Sequence, residues 1–94
     1  MITYKAMYKF LGDAVHAEVL DFAGVITCGA SLEEARRLLG SALVDMAETL
    51  VLAGERLPPP DPTRSDPEAD IEEPIHLLLT VASRVAMVPE GAVS

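Results

Sequence analysis

The sequence contains no tryptophan, two tyrosines, two phenylalanines and a single cysteine. With so few aromatics the core must be filled by Leu, Val, Ile, Met and Ala, and no platform remains for stacking unpaired bases. One cysteine, Cys28, forms no intrachain disulfide and anchors no metal cluster. In its short apolar stretch it reads as a small buried hydrophobe. Basic residues are also scarce, seven against fifteen acids, for a formal net charge of −8. Phosphate binding needs a basic footprint, so direct nucleic-acid binding is not expected. An acidic surface serves either solubility alone or the steering of a basic protein partner. No run approaches the ~20 apolar residues a membrane helix requires. The first residues alternate and lack the apolar core of a signal peptide. The expected location is the cytoplasm, and no cofactor is implied.

Half of the 94 residues are hydrophobic and 23% are charged, which suits one globular domain with its own core. Ile2, Tyr4, Ala6, Tyr8 and Phe10 alternate with Thr3, Lys5, Met7 and Lys9, the period of a half-buried strand. Gly12-Asp13 is a turn pair whose glycine tolerates positive φ. Val15, Ala17 and Val19 then alternate with His16 and Glu18, so the two strands should form an antiparallel hairpin. Asp21-Phe22-Ala23-Gly24 reads as a loop. Val25 to Cys28 reads as a third short strand, closed by Gly29-Ala30.

The strongest local signal is Ser31 standing three residues before Glu34, the spacing of a capping box. Glu33 and Glu34 also suit the positive end of the helix dipole. Leu32, Ala35, Leu39, Leu43, Met46 and Leu50 follow at helical spacing, with Leu38, Ala42 and Ala47 widening the stripe. Gly54 supplies a helix terminator, so one helix is predicted from about Leu32 to Ala53. Pro58-Pro59-Pro60 stops any continuation. Between Asp61 and Glu73 stand six acids, one arginine, two further prolines and almost nothing apolar, which predicts a solvated, mobile connector. Ile75 to Val88 is apolar on both alternating faces, the pattern of a strand buried on both sides. A helix also fits its periodicity, although Thr80, Val81 and Val85 favour extended structure.

These elements give an α+β architecture ordered βββαβ, an antiparallel sheet with one long helix on one face. Residues 1–60 hold the meander and helix, 61–73 the acidic linker, 74–88 a strand completing the domain or forming an oligomer interface, and 89–94 a flexible tail.

The run from Asp21 through Ala35, DFAGVITCGASLEEA, resembles the signature of HicB-like antitoxins. That signature is a strand ending in an acid, a Pro-Gly-type turn, a short strand, Gly, and Thr or Ser before Leu-Glu-Glu-Ala. Gly54-Glu55 followed by prolines, and the hairpin with Tyr8 and Gly12, fit as well. The resemblance covers residues 2 to about 60 and, weakly, the final strand. It implies a truncated ribonuclease-H-like fold that binds and neutralises a small basic HicA-type mRNA-cleaving toxin. Ala23 stands where the family commonly has proline, and Gly24 still permits the turn. Many relatives carry a ribbon-helix-helix or helix-turn-helix segment for operator binding. No basic helix pair is visible after Pro60, so operator binding by this chain is not expected.

Catalysis by such a fold would need carboxylates converging on metal ions. Asp13, Glu18, Asp21, Asp45 and Glu48 are the candidates, and only Asp45 and Glu48 share a helix face by spacing. The expectation is a binding protein, not an enzyme, with no metal site. His16 and His76 each stand alone and read as surface or packing residues. Two features suggest partner contact. One is the loop of Asp21, Phe22 and Gly24, where Phe22 is either tucked under the sheet or offered to a partner. The other is the acidic set Asp66, Glu68, Asp70, Glu72 and Glu73, which a basic toxin would meet. Gly12, Gly29, Ser31, Glu34 and Gly54 are structural. An open sheet face and an apolar final strand predict self-association as a dimer or tetramer. The alternative function is an oligomeric structural or ligand-binding module of the same fold without a toxin partner.

Overall fold

Alternation in the first twenty residues sets the two faces of the sheet. The computed structural model describes residues 1–79. They form β1 (Ile2–Leu11), β2 (Ala14–Val19), β3 (Ile26–Gly29), α1 (Leu32–Leu52) and β4 (Ile71–Leu77). All strand pairs are antiparallel, in the order β3-β2-β1-β4. Leu11 pairs with Ala14, so Gly12 and Asp13 are a two-residue hairpin loop, with positive φ at Gly12. Tyr4, Ala6 and Tyr8 of β1 and Val15, Ala17 and Val19 of β2 are buried toward the helix, as the alternation predicts.

The helix closes that face with Ala35, Leu39, Leu43 and Ala47, while Leu32, Ala42, Met46 and Leu50 pack at the margins. Its start is the predicted cap with one difference. Ser31 Oγ accepts the Glu34 N–H at 3.1 Å, and the Glu34 carboxylate reaches back to Ala30 N–H at 2.8 Å, one residue before the cap. Its end is a Schellman turn. Glu55 N–H donates to Leu50 O and Gly54 N–H to Val51 O, with Gly54 at φ +76°. Gly29 is required by proximity: a Cβ there would lie 2.6 Å from Ala35 N and 2.9 Å from its Cα, so β3 and the helix meet backbone to backbone.

Four expectations are corrected. The last strand begins at Ile71, inside the acidic stretch, and not near Ile75. Ile71, Ile75 and Leu77 point inward while Glu72, Pro74 and His76 are exposed, so the described part of this strand is half-buried. Residues 80–88 of the predicted strand, and the tail, lie outside the described residues. β4 is an edge strand carrying its own guard. Lys5 N–H and C=O both point toward the β2 side, to Asp21 and Leu20, so its partner Pro74 turns its donorless nitrogen outward. Residues 61–70 are not a free connector either: they lie on the sheet face opposite the helix, tied to β1 by the bonds described below. The expected open face is therefore covered in part. Lastly, Cys28 is exposed. Val25 to Cys28 is apolar along both faces of the strand, and the register places Ile26 and Cys28 beside Glu18 and His16, away from the helix.

Candidate partner-binding surface

Asp21 follows β2, and its carboxylate takes over where the β1–β2 ladder stops. Oδ1 accepts the Lys5 N–H at 2.9 Å, and Oδ2 accepts the Asp61 N–H at 2.9 Å. The residue is 8% exposed. It clamps the start of the acidic stretch to the sheet and presents nothing to a partner. Next to it Phe22 is 2% exposed, its ring edge-on to Tyr4 at 5.2 Å between centroids. Of the two readings of Phe22, the structure takes the tucked one. Gly24 keeps the turn at φ +90°, with the Met46 methyl 3.3 Å from where a Cβ would stand. Asp21 and Phe22 thus leave the set of surface contacts because they are buried, whereas Gly24 in the same loop is exposed.

The acids of the second set are largely engaged inside the molecule. Glu73 faces the helix and takes a bidentate pair from Arg36, at 3.0 and 2.7 Å. The Arg36 guanidinium also lies 5.7 Å from the centre of the Tyr8 ring. Burial, and then the Glu73 charge, push the Tyr8 hydroxyl above its ordinary value. Asp70 donates its N–H to Tyr8 O and accepts the Phe10 N–H on Oδ2 at 2.7 Å, continuing the ladder with a side chain. Glu72 lies on the opposite face. It accepts from Asp66 N–H and the Ser65 hydroxyl at 2.9 Å each, and sits 3.7 Å from the Lys5 ammonium. Those bonds, led by the Asp66 N–H, hold the Glu72 carboxyl below its ordinary value. Asp66 accepts the Glu68 N–H, and Glu68 accepts from the Lys9 ammonium. The Glu68 bond raises the Lys9 ammonium above its ordinary value. Glu68, with its side chain 73% exposed, reaches well into solvent.

Lys5 and Lys9 are the residues that sequence reasoning missed. The Lys5 ammonium donates to Pro62 O at 3.0 Å and Arg64 O at 2.7 Å, so both lysines hold down a segment nearly sixty residues away in sequence. No local pattern announces such a contact. Tyr4 does the same from the helix-side face, donating its hydroxyl to Pro58 O at 2.7 Å. Burial, and then the Asp21 charge, push the Tyr4 hydroxyl above its ordinary value. An open cleft of about 450 Å³ remains where the segment meets β1 and β4, lined in part by Thr3, Lys5, Pro60, Pro62 and Pro74.

The candidate nuclease acids do not meet. Glu18 is bonded to His16 at 3.2 Å on the helix-free face, Asp21 is clamped between two amides, and Asp45 and Glu48 ride on the helix across the sheet. Among the described residues no group of three His, Cys, Asp or Glu is placed to hold a metal ion. His76 is exposed, with Nδ1 2.9 Å from the Thr3 hydroxyl. No helix among the described residues is long and apolar enough to cross a membrane.

The antiparallel β3-β2-β1-β4 sheet with one capped helix across one face is an α+β fold that a solved antitoxin domain shares. The crystal structure of the N-terminal domain of the Burkholderia pseudomallei antitoxin HicB matches it with a TM-score of 0.65 and 24% sequence identity, covering 83% of this chain and 100% of that domain. No protein-family model matches the sequence, and no curated protein matches it. The fold expected from the DFAGVITCGASLEEA run is the fold found.

Proposed function

We propose that the chain is an antitoxin-type binding protein, not an enzyme, which binds and neutralises a small basic HicA-type mRNA-cleaving toxin in the cytoplasm. The observation that carries this reading is the fold match, which spans the whole of a domain described as part of an antitoxin. The charge of −8 supports it, because an acidic protein attracts a basic partner at long range and repels nucleic acid. Direct binding to DNA or RNA by this chain is not part of the proposal.

The internal pairing of the acids alters how the attraction works. Glu72, Glu73 and Asp70 serve the fold, so steering comes from the net charge and from the exposed Glu68, not from a loose acidic tether. Self-association as a dimer or tetramer belongs to the same proposal. It is supported by the four-residue edge strand β3, whose Ile26 is 55% exposed.

Co-expression and pull-down with the product of a neighbouring short basic reading frame tests the proposal. A stoichiometric complex that dissociates more readily as salt rises is expected. A basic ribonuclease that never co-purifies at low salt would count against it.

A further inference from the structure

Met7 is 1% exposed, yet it lies outside the core cluster that the helix covers. It points to the other face of β1, between Lys5 and Lys9 on its own strand and with Glu72 and Glu18 as its cross-strand partners. Three of those four neighbours hold residues 61–70 in place: Lys5 through Pro62 O and Arg64 O, Lys9 through Glu68, and Glu72 through Ser65 and Asp66. The segment therefore passes over Met7 and removes it from water. Between its two ends, held at Asp21 and at Asp70, the segment is seated on the face by the Lys5 and Lys9 ammonium groups and the Glu72 carboxylate. The side chains of Lys5, Lys9, Glu72 and Glu68 are between about a quarter and three quarters exposed, so salt and competing cations reach these pairs.

We propose that residues 61–70 form a charge-latched strap over Met7, which opens as a unit, with the helix still on the sheet, when the Lys9–Glu68 pair and the bonds that the Lys5 ammonium and the Glu72 carboxylate make to it are broken. The helix-side core does not depend on the strap, since its buried residues come from β1, β2, the loop at Phe22 and Val25, α1 and Leu77. Opening is then a local event of the low-energy kind. It uncovers Met7 and frees the half-buried Lys5 and Lys9 on either side of it, one row along β1 that becomes a continuous basic and apolar surface. The trigger is a cation able to compete for Glu68 and Glu72, and salt is the simplest example.

The test is the rate at which dilute hydrogen peroxide converts Met7 to its sulfoxide, followed by mass spectrometry, with exposed Met1 as the internal reference. Glu68→Lys sets two ammonium groups against each other at an exposed site and should speed oxidation of Met7 by roughly three- to tenfold. High salt should do the same to the unmodified protein. Adding Lys9→Glu to Glu68→Lys restores an ion pair of opposite polarity and should return the rate to its starting value. The thermal midpoint followed by helical circular dichroism should stay close to that of the unmodified chain throughout. Met7 oxidation that is unchanged by Glu68→Lys, is not rescued by the swap, or rises only as the helix melts would overturn the strap.

Discussion

At the scale of single residues, Asp21 carries more of the structure than its sequence position suggests. One carboxylate satisfies two backbone amides from distant segments, Lys5 on one side of it in sequence and Asp61 forty residues beyond it, and is nearly enclosed while doing so. Asp21→Ala leaves both donors without their acceptor, and a partly buried unsatisfied amide costs roughly 1–3 kcal/mol. Urea denaturation should show a loss of that size, and Asp21→Asn, which keeps one acceptor oxygen, should lose less. Equal stability of the alanine variant would mean that water replaces the clamp without cost. Phe22 follows the same logic. A phenylalanine in a polar loop has two readings in sequence, and only the Tyr4 ring edge, supplied by β1, decides between them.

At the scale of elements, legibility divides by the range of the interactions. Helix α1 was readable because its start, stripe and stop are written within one stretch: Ser31 and Glu34, the Ala35–Leu39–Leu43 row, and Gly54. The hairpin was readable because alternation and a Gly-Asp turn are local. The face taken by Cys28 was not, since a short strand apolar on both sides fits either orientation until register fixes it. The strap and the true start of β4 were not readable because acids and prolines signal solvation in isolation, whereas here Lys5, Lys9 and Tyr8 O partner them from β1. The strap also has a defined pH dependence. Glu72, bonded by Asp66 N–H and Ser65 and faced by Lys5, and Asp61, bonded by Thr63 and faced by Arg64 and Lys5, are both held below their ordinary values of 4.5 and 3.8. A carboxyl depressed in the folded state contributes stability that is complete above its unfolded value and disappears as pH falls through the folded one. On acidification, amide resonances of residues 61–70 should move to random-coil positions below about pH 4, before those of the helix do. Simultaneous loss of both sets would tie the strap to the core instead.

At the scale of the whole molecule, a sheet covered by a helix on one face and a strap on the other leaves the short β3 edge as its least protected border. Pro74 guards the opposite edge. Light scattering at micromolar concentration should therefore report a dimer or tetramer, and a monomeric mass would remove the self-association part of the proposal. The central claim, that this HicB-like fold neutralises a basic mRNA-cleaving toxin, rests on one measurement more directly than on any other. The product of any short basic reading frame found beside this one is assayed for RNA cleavage while the purified chain is titrated in. Cleavage that falls in proportion to added chain and stops near equimolar amounts is the predicted result. A ribonuclease that stays fully active in excess chain, at low salt and with the chain folded, would contradict it.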